Sequence, residues 1–188
     1  MKCGSMLKRS WAKNLLPSGL RGRDLVVWYL LALLVLLMDQ LTKGWIVSEF
    51  YLGQREVITS FFNLVHVRNY GAAFSFLSDA GGWQRWFFAI LSTLVSVVIV
   101  IWIARLERKK WLESLALALI LGGALGNLYD RLMLGYVVDF LDFHGSGWHF
   151  PAFNVADTGI SIGAGLLILD MFVSDQTSET KGGDIDAN

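Results

Sequence analysis

The stretch WFFAILSTLVSVVIVIWIA, residues 86–104, contains no charged side chain and is bracketed by Arg85 and Arg105. A helix needs about 20 apolar residues to cross the ~30 Å hydrocarbon core of a bilayer. Three more apolar runs of similar length occupy residues 25–47, 112–132 and 156–173. Only helices and closed barrels satisfy the backbone in lipid, and these runs are too long for barrel strands. The sequence therefore predicts a membrane α-helical protein with a bundle of four transmembrane helices.

The composition is that of a membrane protein. Hydrophobic residues make up 54% of the 188 residues and charged residues 17%, whereas a soluble domain is usually about 45–50% apolar and about 25% charged. The formal net charge is zero, so we expect no nucleic-acid partner. Cys3 is the single cysteine, which excludes a disulfide within the chain. One compact membrane domain fits a chain of this length.

Basic residues are concentrated on one side of the predicted bundle. The segment before the first apolar run, residues 1–24, contains six Lys and Arg residues, and the turn at 105–110 contains four. The loop after the third run has almost none beyond Arg131. Because basic loops are retained in the cytoplasm, we expect both termini to be cytoplasmic. The polar tail at 174–188 is predicted to lack regular structure.

The first outer loop, residues 44–85, is long enough to contain structure of its own. Its segments 57–59 and 63–68 are rich in β-branched residues and partly alternate, which predicts two short strands of a small extracytoplasmic β-sheet. The segment that follows, residues 69–77, is a candidate lid over a substrate, and Gly71 would give it freedom to move.

Two aspartates lie where the apolar runs meet the outer face. Asp139 follows the third run and Asp157 begins the fourth. A carboxylate beside hydrocarbon is costly unless something holds it there, so such residues are functional candidates. Two of them on one side of the bilayer predict a shared task, for which activation of a water molecule is the simplest chemistry. Asn154 is a suitable N-cap for the fourth helix, whose N-terminus favours an ionised Asp157. An ordinary first-turn aspartate is the alternative.

The third run has a face of small residues that becomes polar toward the outer end. Small residues recur at every fourth position from Ala118 to Gly126, which lets helices approach closely. Simple packing explains the small residues alone, but this row ends in Asp130. In the first run, Asp39 and Lys43 have the spacing of a helical ion pair. A second row beside the small residues consists of Gly123, Asn127 and Arg131.

Other chemistries receive less support. His66, His144 and His149 lack the tight spacing of zinc ligands, so we expect no metal site. A proton- or ion-coupled membrane transporter is one alternative. It would place acidic residues near mid-membrane and usually repeat its halves, and neither feature is visible in the sequence. A non-enzymatic assembly subunit would use the rows of small residues for packing but would leave the two outer aspartates unexplained.

Five sequence motifs together carry a family resemblance. The motifs are DQLTK (39–43), RNYGAAFS (68–75), GGALGNLYDR (122–131), VVDF (137–140) and FNVAD (153–157). In chain order they resemble those of lipoprotein signal peptidase, also called signal peptidase II, a family of bacterial intramembrane aspartyl proteases. The resemblance covers roughly residues 24–173, and five ordered motifs are far more specific than any one of them.

The resemblance implies a catalytic pair, Asp139 and Asp157, that works without a metal or an organic cofactor. It assigns no role to Asp142, which we treat as a bystander. Residues that support the pair or contact the substrate are implied at Asn69, Asn127, Asp130, Arg131 and Asn154, and we add Asp39, Lys43 and Gly123 as supporting residues.

By the same resemblance, the substrate is a prolipoprotein whose lipobox cysteine carries diacylglycerol. The bond before that cysteine is cut, which releases the signal peptide. The implied location is the bacterial inner membrane, with membrane lipid around the protein and the active site near the outer face. Cyclic peptides of the globomycin type are implied as inhibitors.

Overall fold

The chain forms four long helices and one small sheet. The computed structural model describes residues 22–71, 81–107, 110–145 and 147–182. The helices are α1 (Gly22–Glu49), α2 (Trp83–Arg105), α3 (Trp111–Met133) and α4 (Val155–Gly182). Each contains a segment long and apolar enough to cross a membrane, which confirms the four predicted spans.

The polar tail and the candidate lid are described only in part. We expected the tail from 174 onward to lack regular structure, but α4 continues as a helix to Gly182. A formed helix propagates readily into polar sequence, because each added residue gains a hydrogen bond. Residues 1–21, 72–80 and 183–188 lie outside the described residues, so the basic segment and most of the lid stay predictions.

Helix α3 is the centre of the bundle and contacts the other three helices. Small residues allow the neighbouring backbones to approach it. A Cβ atom added at Gly122 would lie 2.5 Å from the backbone oxygen of Ala32 in α1. One added at Gly163 in α4 would lie 2.6 Å from the backbone oxygen of Ala116. Larger residues here would push the helices apart, as in other close helix contacts in lipid.

The sheet is antiparallel, with strand order β1 (Arg55–Thr59), β2 (Phe62–Asn69), β3 (Val137–Gly145) and β4 (Trp148–His149). β1 and β2 contain the two strands predicted in the first outer loop. β3 and β4 lie outside those predictions, because they come from the segment between α3 and α4. The first four residues of β3 are all buried, so they lack the alternation that marks a half-exposed strand.

The sheet lies against one end of the bundle, which we call the sheet end. Ile46 of α1 packs there with Val138 and Phe140 of β3 in a buried cluster. α1 and α3 end at the sheet end, and α2 and α4 begin there, since the strands occupy the two connecting segments. Both candidate aspartates therefore lie at the sheet end, Asp139 in β3 and Asp157 in the first turn of α4.

Candidate active site

Asp139 is held by two amide side chains at the centre of the sheet end, where it is only 2% exposed. Asn69 Nδ2 donates to its Oδ2 at 2.9 Å, and Asn154 Nδ2 donates to its Oδ1 at 2.7 Å. Burial and the nearby carboxylate of Asp157 raise the pKa of Asp139 to about 7, although the two hydrogen bonds act in the opposite direction. This carboxyl group therefore gains or loses its proton near neutral pH.

Asp157 occupies the first turn of α4 and faces a cavity. Its backbone N–H donates to Asn154 Oδ1 at 2.9 Å, which confirms Asn154 as the N-cap of the helix. Its carboxylate accepts a hydrogen bond from Asn127 Nδ2 at 2.7 Å. Asn154 thus contacts both aspartates, with its amide nitrogen on the carboxylate of Asp139 and its amide oxygen on the backbone of Asp157. One buried side chain ties the two acidic residues together.

The amide of Asn127 is oriented by a lysine. Lys43 Nζ donates to Asn127 Oδ1 at 2.9 Å, so Asn127 Nδ2 points the other way, toward Asp157. Lys43 is buried and also forms ion pairs with Asp39 at 2.7 Å and Asp130 at 2.9 Å. The predicted pair of Asp39 and Lys43 is confirmed. It is one part of a larger cluster, the buried charge triad Asp39–Lys43–Asp130.

The two carboxylates of the triad also hold the segments that carry the candidate aspartates. Asp39 Oδ1 accepts a hydrogen bond from the backbone N–H of Ala156 at 2.8 Å. Asp130 Oδ2 accepts one from the backbone N–H of Val138 at 3.2 Å. Each of these backbone groups directly precedes one of the two candidate aspartates. Charges inside the bundle therefore help to position both members of the pair.

Gln40, which lies in the motif DQLTK but received no role from the sequence, adds hydrogen bonds to the triad. Its Nε2 donates to Asp130 Oδ1 at 2.9 Å and to Asp39 Oδ2 at 3.1 Å. Adjacent residues on a helix do not face each other, so the local spacing of Asp39 and Gln40 does not predict a shared partner. The contact with Asp130 joins residues 90 positions apart, and no local signal in the sequence could have revealed it.

Gly123 and Gly126 do not line the cavity. They allow α3 to pack closely against Asp39 and the first turn of α4. A Cβ atom added at Gly126 would lie 2.6 Å from Asp39 Oδ2, and one added at Gly123 would collide with the backbone oxygen of Ala156. Any larger residue would therefore displace the triad or the first turn of α4.

Arg131 connects α3 to the residues that follow β2. Its Nη2 donates to the backbone oxygen of Gly71 at 2.9 Å, and its Nη1 donates to that of Asn127 at 3.2 Å. Its Cζ lies 5.2 Å from the ring centre of Phe88, a cation–π distance. The guanidinium is thereby fixed in place, and it lines the same cavity as Asp157.

A cavity of about 520 Å³ opens beside Asp157. Its polar part includes Asp157, Asn69, Asn127 and Arg131, together with the hydroxyl residues Thr158 and Ser161. The rest of the wall is largely apolar and comes mainly from α4 and from the segment between β4 and α4. An apolar chain with a polar group at one end fits such a site. The apolar wall, which the sequence did not reveal, includes Phe150, Pro151, Ala152, Phe153, Ile160 and Ile162.

Asp142 lies on the opposite face of β3 from Asp139, since successive side chains alternate along a strand. It accepts a hydrogen bond from Asn63 Nδ2 at 2.7 Å, and His149 Nδ1 lies 3.3 Å away. Burial raises the pKa of Asp142, but these hydrogen bonds have the larger combined effect and the pKa is lowered overall. Its contacts tie the strands together. Within the part of the chain that the structure describes, no three His, Cys, Asp or Glu side chains form a group that could hold a metal ion.

Comparisons with known proteins agree with one another. A sequence model of the family described as signal peptidase (SPase) II matches residues 31–173. The chain is 49% identical to the lipoprotein signal peptidase of Shewanella sediminis over 175 residues. This alignment covers 93% of this chain and 96% of that protein. It is 59% identical over 143 residues to that of Teredinibacter turnerae, with 76% and 85% covered. It is also similar to a solved bacterial membrane enzyme, with a TM-score of 0.74 and 32% identity over 87% of this chain and 96% of that one.

Proposed function

The chain belongs to the signal peptidase II family, and from that premise we propose that it is an aspartic endopeptidase in which Asp139 and Asp157 act as one catalytic pair. The observation that carries the proposal is the double contact of Asn154. Its nitrogen donates to the Asp139 carboxylate at 2.7 Å, and its oxygen accepts the Asp157 backbone N–H at 2.9 Å. An aspartic mechanism needs two acidic residues held together, and here one buried amide holds Asp139 and Asp157, of which Asp157 lines the cavity.

The two carboxyl groups share one proton near neutral pH, because ionising both members of a close pair is unfavourable. A pKa of about 7 for Asp139 is consistent with that state. Asp157 lies at a helix N-terminus, where negative charge is stabilised. The pair titrates jointly, and we assign its shared proton in the resting state to Asp139 because Asp157 lies at the helix N-terminus.

Hydrolysis proceeds in two steps. In the first, ionised Asp157 takes a proton from a water molecule as the water oxygen attacks the carbonyl carbon of the peptide bond. Protonated Asp139 donates a hydrogen bond to the carbonyl oxygen, on which negative charge develops. In the second, the carbon–nitrogen bond breaks and a proton passes from the pair to the leaving amine. The pair supplies both the proton acceptor and the proton donor, so these steps use no cofactor.

The substrate class is inferred from the family and from the cavity. It is a prolipoprotein whose lipobox cysteine carries diacylglycerol, and the bond before that cysteine is cut. The apolar wall suits the apolar side chains of a signal peptide, and the polar part brings the peptide bond beside Asp157. Cyclic peptides of the globomycin type would compete for the same cavity.

The location follows from the same proposal. The sheet end lies at the outer face of the bacterial inner membrane, and both termini lie in the cytoplasm. A substrate anchored by its own lipid and by its apolar signal segment is then confined near that interface, at the depth of the aspartate pair.

The test replaces each aspartate with its uncharged amide. Purified Asp139→Asn and Asp157→Asn proteins are assayed on a diacylglyceryl-modified prolipoprotein, and mass spectrometry identifies the bond that is cut. We expect each variant to lose at least about 10²-fold in kcat, the scale of general acid–base catalysis. The matched control is Asp170→Asn on the same helix α4, where the carboxylate lies 3.7 Å from Lys110 Nζ and about 20 Å along the helix axis from Asp157.

Near-normal cleavage by either active-site variant, or an equal loss in the Asp170→Asn control, would remove the aspartic assignment. Cleavage of the wild-type substrate at a different bond would remove the lipobox assignment and leave the catalytic pair in place.

A further inference from the structure

A second cavity, of about 410 Å³, lies at the sheet end between the first turn of α2 and the end of α3. Its wall includes Tyr70, Arg85, Trp86, Gly135 and Tyr136. It shares no lining residue with the cavity beside Asp157. The peptidase proposal gives this second cavity no role.

Arg85 presents part of its guanidinium to this cavity. Its Nε donates to the backbone oxygen of Arg131 at 2.7 Å, and its Nη2 donates to that of Leu132 at 2.7 Å. Its Nη1 makes no such bond to the described residues and lies near Gly135, where an added Cβ atom would be 3.3 Å from it. The arginine is therefore anchored on one side and has a free donor on the other.

A second arginine lies beside the same cavity. The Cζ of Arg68 is 4.6 Å from the ring centre of Tyr136, which forms part of the wall. Tyr70 packs on Tyr136 with ring centres 5.6 Å apart, and both rings line the cavity. In the described ranges, no Asp or Glu oxygen lies within 4.0 Å of either guanidinium of Arg68 and Arg85. Arg85 therefore lines the cavity, and Arg68 adds a second positive charge beside its wall residue Tyr136, without a counter-ion from those residues.

The surroundings of the cavity match the boundary between lipid headgroups and acyl chains. Trp86 is 56% exposed, and Met133 and Leu134 at the end of α3 are 65% and 47% exposed. Both helices are membrane spans, and these residues lie at the ends of the spans. Exposed tryptophan at a span end is typical of the headgroup level. The cavity therefore lies where phosphate groups and the first acyl carbons meet.

We propose that this cavity binds the phosphate group of an anionic phospholipid. The phosphate binds at Arg85 Nη1, the guanidinium of Arg68 beside Tyr136 adds positive charge nearby, and the acyl chains lie along Trp86 and Met133. Arginine suits this role because its planar fork matches phosphate geometry and it remains charged. Basic residues at the membrane surface attract anionic lipid. The proposal concerns lipid binding alone and does not depend on the peptidase activity.

The test measures lipid retention by the purified full-length protein in detergent, using native mass spectrometry with phosphatidylglycerol, phosphatidylcholine and sodium phosphate as separate probes. We expect one retained phosphatidylglycerol, bound more tightly than phosphatidylcholine. Arg68→Gln and Arg85→Gln should each weaken binding about five-fold, the contribution of one basic residue near anionic lipid. Arg105→Gln is the matched control, because Arg105 is an exposed arginine at the opposite end of α2, and it should change nothing.

Arg85→Gln also removes two hydrogen bonds to the end of α3, so Arg68→Gln, at an exposed position, keeps the test decisive if the first variant does not fold. Equal retention of the two lipids, or equal loss in Arg68→Gln and Arg105→Gln, would overturn the proposal. Saturable binding of sodium phosphate without a preference for phosphatidylglycerol would identify a free anion as the occupant and would also overturn it.

Discussion

Replacing Lys43 with methionine perturbs the buried charge triad directly. The substitution keeps an apolar stem of similar length but removes the cation that lies 2.7 Å from Asp39 and 2.9 Å from Asp130. These two carboxylates are 0% and 1% exposed, so water cannot replace the lost charge in place. Removing one partner of a buried ion pair costs about 3–5 kcal/mol. We therefore expect the free energy of unfolding to fall by at least about 3 kcal/mol.

The assay is unfolding in mixed micelles by titration with a denaturing detergent, followed by circular dichroism. Lys110→Met is the matched control, because Lys110 also lies between two carboxylates, 3.8 Å from Glu113 and 3.7 Å from Asp170. Its side chain is 37% exposed, and exposed pairs contribute about 0–1 kcal/mol. If Lys43→Met loses no more stability than Lys110→Met, the triad does not hold the site together and the reasoning is refuted.

Three further predictions concern the same network. Asn154→Ala removes the contacts to both aspartates, and kcat for prolipoprotein cleavage should fall about 10²-fold, the cost of a displacement of about 1 Å at reacting groups; an unchanged kcat would contradict its positioning role. The raised pKa of Asp139 means that folding favours its protonated form, so its contribution to stability is present below about pH 4 and is lost as the pH rises through about 7. Asp139→Asn cannot ionise, so between about pH 4 and pH 8 the wild type should lose stability relative to this variant by on the order of 1–4 kcal/mol, and thermal unfolding that shows the same pH dependence for both proteins would count against this. Gly126→Ala should cost about 1–3 kcal/mol by overpacking against Asp39, whereas Gly165→Ala, with open space around the added Cβ, should cost nothing; the same unfolding assay would show equal effects if the packing argument were wrong.

The helices were predictable, and the two aspartates could be selected as candidates, because both inferences follow from short-range features. Four apolar runs of nearly membrane length predict the bundle, since lipid leaves few options for the backbone. Asp139 and Asp157 stand out because charge is costly beside hydrocarbon. The ion pair of Asp39 and Lys43 was visible for a similar reason, because four-residue spacing puts two side chains on one helix face.

The remaining features depend on contacts between distant parts of the chain. β3 is buried at its start and is paired with β2, so its sequence shows neither alternation nor a hairpin turn toward its partner. Gln40 reaches Asp130 only because α1 packs on α3. The apolar wall of the main cavity forms when the segment before α4 folds back on the sheet, where Phe153 stacks on Phe143 with ring centres 5.9 Å apart. No local sequence pattern predicts these contacts between distant parts of the chain.

The joint action of Asp139 and Asp157 is tested most directly by single-turnover cleavage of a diacylglyceryl-modified prolipoprotein by Asp139→Asn, Asp157→Asn and the double variant. Residues that act as one unit lose their whole effect when either is removed, so their losses do not multiply. We predict that each single variant is as slow as the double variant. Losses that multiply in the double variant, or a single variant that keeps the wild-type rate, would show that these two carboxylates do not share one hydrolytic step.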